Sequence, residues 1–147
     1  SDTNPQKQLL LLEVRRELDR LMARTGAVRA STDEREQFKA IADNMEATAT
    51  ARDGVAFMRH DVKFNALLAA ACHNEYAKRA MRLINGLSRR FWFMHFQRSA
   101  DLPLCARLHA NMARAIGAGD PEGAAIAAGA LVDYVEIFTR ATIDIAP

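Results

Sequence analysis

Apolar residues in this chain recur every three to four positions, and no stretch alternates with the two-residue period of a β-strand. A chain with that single period can bury its apolar stripes only by packing helix on helix, so the expected fold class is all-α. Start and stop signals divide it into about six helices. The first runs from about Gln8 to Thr25, with Leu11, Leu18, Leu21 and Met22 as its core stripe and Gly26 as its end. Ser31 and Glu34 have capping-box spacing and open a second helix carrying Phe38, Ile41, Ala42, Met45 and Ala49 on one face. Asp53 caps a third that reaches about Ala71. Asn74 caps a fourth, to about Gln97, with Ala77, Ala80, Met81, Ile84, Leu87 and Phe91 inward; Ser99 to Pro103 breaks it. A fifth spans about Leu104 to Ala118 and stops at Gly117-Ala118-Gly119. Asp120 and Pro121 then cap and start a sixth, to about Thr142, with Ala124, Ala127, Ala128, Leu131, Val135 and Phe138 along its face. The short turns predict an antiparallel bundle.

With 147 residues, half of them apolar, the chain makes one domain with a full core. A net charge of +2 gives little attraction for nucleic acid. No apolar run approaches the ~20 residues of a membrane span, and the polar start lacks the order of a signal peptide. Residues 1–8 are expected to be a flexible lead-in and 9–147 the folded domain. Nothing in the lead-in marks a natural start, so the chain reads as a domain of a larger protein. Cys72 and Cys105 lie on apolar stripes and read as buried free thiols in a reducing cytoplasm.

Catalytic signatures are absent. There is no His-Glu-x-x-His, no Glu-x-x-His, no Gly-x-Ser-x-Gly and no Cys-x-x-Cys, and Gly117-x-Gly119 with Gly123 misses the dinucleotide spacing. The run from Ser88 to Phe96 (Arg89, Arg90, Phe91, Trp92, Phe93, Met94, His95) has the composition of a base-stacking platform. Aromatics at the end of a long amphipathic helix more often fill a core or a subunit contact, and the low net charge favours that reading. Arg89 and His95 are within the run's reach of a ligand.

Three polar residues stand where packing alone would not put them. Asp61 has Phe57, Met58, Phe64 and Asn65 as its helical neighbours; Asn65 itself has Val62, Leu68 and Ala69; His109 has Cys105, Ala106, Met112 and Ala113. Inward polar groups need partners, as satisfied core groups or as parts of a pocket. Two oxygen donors and an imidazole from two helices are also plausible metal ligands. On helix 1, Arg15 sits among Leu11, Leu12, Leu18 and Met22 and leans inward, while Arg16 faces outward. An inward guanidinium seeks a carboxylate, either Asp61 or that of a ligand.

Three segments resemble the FCD domain, the effector-binding domain of the FadR-type branch of GntR transcription regulators. Glu13-Val14-Arg15-Arg16-Glu17-Leu18-Asp19 is similar to the family's Glu-x-Arg-x-x-Leu-Glu opening helix. Asp61-Val62-Lys63-Phe64-Asn65-Ala66-Leu67, with His73-Asn74 beyond it, resembles Asp-x-x-Phe-His-x-x-Leu and the Asn that opens the next helix. His109 to Ile116, followed by Gly119-Asp120, resembles His-x-x-Ile-x-x-Ala-Ile and its Gly-Asp. Together they cover nearly the whole chain from about Leu9.

The resemblance implies an all-helical bundle with an interior pocket. There, many members hold a metal through one Asp and three His, and a small organic acid completes the site. Asp61 and His109 match two of those ligands, whereas Asn65 and Leu131 stand where two further histidines are expected. Two alternatives follow. A Zn-, Ni- or Mn-class ion is held weakly by Asp61, Asn65 and His109, or those residues hydrogen-bond a carboxylate effector directly, with Arg15 as counter-ion and Arg89 assisting. The resemblance also implies a homodimer that meets DNA only through a winged helix-turn-helix ahead of helix 1; no such segment fits before Leu9, so the chain reads as the effector half of a regulator. Two other functions compete: a metal-assisted hydrolase or lyase using Asp61 and His109, and a structural helical module in which Arg15 and Asp61 simply pair.

Overall fold

The computed structural model describes the backbone of residues 3–145 and the side chains of these residues except 97–99 and 144–145. Among the described residues there are six helices and no strand: α1 (Pro5–Arg29), α2 (Thr32–Ala51), α3 (Gly54–Ala71), α4 (Glu75–Ser99), α5 (Leu102–Gly117) and α6 (Pro121–Ile145). No helix is long and apolar enough to cross a membrane.

Each helix starts on a side chain that takes over an otherwise unpaired backbone N–H. Ser31 and Glu34 form the full capping box. Asp53, Asn74 and Asp120 accept from the backbone of Ala56, Ala77 and Gly123. Two caps come earlier than the sequence signals placed them. Asn4 accepts from Gln6 and Lys7, so α1 begins at Pro5, inside the segment read as a lead-in; Ser1 and Asp2 lie outside the described residues. Asp101 accepts from Leu104, and Pro103 then sits in the first turn of α5, where its missing N–H costs nothing, instead of breaking the chain.

Helix ends follow backbone conformation. Arg52 and His73 close α2 and α3 at φ 53° and 48°, and Gly119 closes α5 at φ 69°. Gly26 does not end α1, as had been expected. It lies inside the helix, buried, with Leu68 and Ile116 in van der Waals range of where a Cβ would be.

The principal packing pairs are distant in sequence. Arg16 reaches Asp133 and Glu136 while Arg24 reaches Glu122, so α1 and α6 run antiparallel. Arg16, expected to face outward, is partly exposed and reaches across the surface to α6. Arg114 pairs with Asp43 and Glu46, and Gly117 crosses against Arg35 and Phe38, so α2 and α5 are antiparallel as well. The core runs through Met22, Phe38, Met45, Phe64, Met112 and Ile116, each fully buried or nearly so. Phe38 and Phe64 meet edge to face at 6.1 Å. Each such ring contributes roughly 1.5–3 kcal/mol by burial. Seven expected core positions differ: Leu21 and Ala80 are exposed, and Leu11, Leu18, Leu87, Ala127 and Val135 are only partly buried.

Candidate effector pocket

The bundle is not filled throughout. Five helices, all except α2, surround a cavity of about 120 Å³. Arg15 and Asp19 reach it from α1, Asp61 and Asn65 from α3, Ser88 and Trp92 from α4, His109 from α5 and Leu131 from α6. Arg89 also lines it and is exposed, so it stands at the solvent side.

His109 fixes the chemistry of this space. Its Nδ1 lies 2.8 Å from the carbonyl oxygen of Cys105, one turn back on α5. A carbonyl only accepts, so Nδ1 carries a proton. Its Nε2 lies 3.1 Å from Asp61 Oδ1. An ionised carboxylate also only accepts, so Nε2 carries a proton too, and the ring is an imidazolium. Burial works against that charge. The Cys105 side and the Asp61 carboxylate outweigh it, and the His109 pKa lies well above the usual histidine value. Phe57 and Phe64 meet the ring near-perpendicularly at 5.3 and 5.8 Å and hold its orientation.

A second pair lies beside the first. Arg15 Nε donates to Asp19 Oδ2 at 3.1 Å, with side chains 18% and 8% exposed. Arg15 thus faces inward, as its neighbours predicted, but its partner is Asp19 and not Asp61. Burial raises the Asp19 pKa, Arg15 pulls it down without fully compensating, and the charges of His109 and Asp61 reach it as well. The two pairs therefore form one electrostatic unit. Asp19 escaped the reading of the sequence, although an Arg and an Asp four apart on a helix are a recognisable pairing signal.

Of the α4 contribution the sequence pointed to Arg89 but not to Ser88 or Trp92. The Ser88 hydroxyl and the Trp92 Nε1–H are buried and have no hydrogen-bond partner. The aromatic run that contains them splits in two. Phe91 and Trp92 pack inward, Trp92 lying 4.5 Å from the Phe138 ring, while Phe93 and Met94 are exposed. No sequence signal marks Ser88, because the cavity it lines is assembled from five helices.

A metal site of the kind the resemblance implies needs four converging donors. Among the described residues no three His, Cys, Asp or Glu side chains converge. Asn65 turns its amide nitrogen to Asp61 at 3.4 Å, Leu131 is buried hydrocarbon, and both ring nitrogens of His109 are engaged by the Cys105 carbonyl and Asp61. One carboxylate, one amide and one imidazole fall short of that ligand set.

An all-helical bundle with a charged interior cavity defines the class of protein. The family model of the FCD domain matches residues 10–134, and the chain belongs to that family, whose members are regulatory effector-binding domains. No curated protein shows significant sequence similarity to the chain.

Proposed function

We propose that this chain is the ligand-sensing domain of a GntR/FadR-type bacterial transcription regulator and that its cavity binds a small carboxylate without a tightly held metal. The observation that carries this reading is the two partly buried ion pairs, Arg15–Asp19 and Asp61–His109, lining a cavity inside the bundle. Ion pairs enclosed in a bundle are weak contributors to folding stability, since well-packed apolar residues are often as stable or more so. A ligand that reorganises these pairs would favour one packing of α1, α3 and α5 over another. In a homodimer, through contacts such as the exposed Phe93 and Met94, that preference reaches DNA-binding domains attached ahead of α1. The protein works in the cytoplasm, and DNA is met only through those domains.

The hydrolase reading is less favoured because both nitrogens of His109 are engaged, so the imidazole is not free to act as general base. A purely structural module predicts an Arg15–Asp61 pair, whereas Arg15 bonds Asp19. The test is calorimetric titration of small carboxylates into the parent chain and into folded Arg15→Ala and His109→Ala variants, with elemental analysis of the protein as purified. Weakened binding in both variants and no stoichiometric metal support the proposal. Unchanged affinity in both variants defeats the site. One tightly bound Zn, Ni or Mn per chain defeats the metal-free form.

A further inference from the structure

Four features of the cavity restrict what it accepts. The first is size: about 120 Å³ is close to the ~150 Å³ apolar cavity that takes one benzene molecule. The second is charge. Arg15 pairs with Asp19 and His109 with Asp61, while Arg89 has no carboxylate within ion-pair distance among the described residues. The third is the wall, which is largely aromatic and aliphatic, with Phe57, Trp92, Val135 and Phe138 prominent. The fourth is the pair of orphaned groups on α4. Ser88 and Trp92 are four residues apart and therefore share a face of the helix. An indole N–H can only donate, so whatever meets it must be an acceptor. A buried donor without a partner is costly enough to mark where a ligand atom belongs.

We infer that the effector is a compact monoanionic acid with an apolar body of about one six-membered ring, its carboxylate accepting from Ser88 Oγ–H and Trp92 Nε1–H and its ring lying against Phe57 and Phe138. This rests on the sensor reading above and narrows it. Di- and tricarboxylates bring more negative charge than the single uncompensated cation balances, and long acyl chains exceed the volume. Arg89, at the solvent side, adds long-range attraction for the anion.

Trp92 is the only tryptophan in the chain, so its emission reports directly on this subsite. The probe is benzoate, titrated into the whole chain while Trp92 emission and the thermal midpoint are followed, with cyclohexanecarboxylate, benzyl alcohol and citrate in parallel. Saturable changes with benzoate and cyclohexanecarboxylate, and much weaker ones with benzyl alcohol and citrate, are expected. Ser88→Ala should weaken benzoate binding about tenfold by the same emission assay. Trp92→Phe keeps a ring but removes the N–H, and should weaken binding similarly when read by calorimetry. Benzoate binding that neither variant weakens overturns the α4 subsite. Citrate binding without benzoate binding overturns the monoanion class and leaves the sensor reading standing. If neither acid binds and no other small carboxylate stabilises the chain, both fail together.

Discussion

Replacing Asp61 by Asn keeps the side chain's shape and removes its charge, which isolates the Asp61–His109 pair. A hydrogen bond to a charged partner contributes roughly 1.5–3 kcal/mol, and breaking a buried pair costs more where the remaining charge cannot escape. Here it can escape. His109 sheds its proton once the carboxylate is gone, and Asp61 keeps 27% of its side chain in contact with solvent. The loss at pH 6 is therefore about 1–2 kcal/mol, or roughly 2–8 °C in Tm for a chain of this size. The pH dependence carries the sharper test. In the folded parent the His109 pKa is raised, so the folded state holds a proton that the unfolded state releases near pH 6.5. The stabilisation is fully present below that pH and is lost as pH rises through the folded pKa. In Asp61→Asn that dependence disappears, so parent and variant should differ most near pH 6 and converge as pH rises. Thermal melts of both proteins from pH 5 to 9, with NMR titration of the His109 ring, measure it. A His109 pKa at or below 6.5 in the parent, or a gap that does not change with pH, would refute the imidazolium assignment.

Three further outcomes follow from the same geometry. Arg15→Ala leaves Asp19 buried without its cation; the variant should lose about 1–3 kcal/mol at pH 7 and recover part of it as pH falls toward 5, because a buried carboxyl with a raised pKa is least costly when protonated. A Tm deficit that grows on acidification contradicts this. Gly119→Ala places a Cβ at φ 69° against the Arg35 guanidinium, whose other contacts are the carbonyls of Ala27 and Ala30. Strain and displacement together should cost about 1–3 kcal/mol in chemical denaturation, and a neutral result would mean that the turn relaxes freely. Phe64→Ala removes a ring that is 2% exposed and touches both Phe38 and His109; it should cost about 3–5 kcal/mol and broaden the His109 NMR signals, whereas a loss under about 1 kcal/mol would contradict the core assignment.

What was legible in the sequence was local or periodic. Ser31 with Glu34, Asp53, Asn74 and Asp120 announce helix starts because each cap bonds a backbone N–H two or three residues on. Asp61 and His109 stood out because a charge on an apolar stripe has to meet something, and the structure brings them together at 3.1 Å. Arg15 was rightly turned inward, and of the two partners open to it, Asp61 or a ligand carboxylate, the first is replaced by Asp19. The Asp61 alternative assumed a contact between helices, whereas Asp19 is one turn away on the same helix. Gly26 misled because a glycine after an apolar run has two meanings, a stop or a close approach of two helices, and only the position of Leu68 and Ile116 decides between them. Ser88 and Trp92 acquire their significance from which helices surround them. The same holds for Arg16, whose partners on α6 are more than a hundred residues away along the chain. Such facts are properties of packing and not of pattern.

The central claim is that the interior cavity is a binding site for a small acid and not a packing defect. Its most direct test is the thermal midpoint of the parent chain across a panel of small carboxylates at saturating concentration. Binding at a hundredfold excess over Kd adds about 2.7 kcal/mol of stability, which predicts a Tm rise of roughly 5–10 °C that saturates with concentration and shrinks in His109→Ala. A flat response across the whole panel, with the protein folded and concentrated ligand present, would contradict the account.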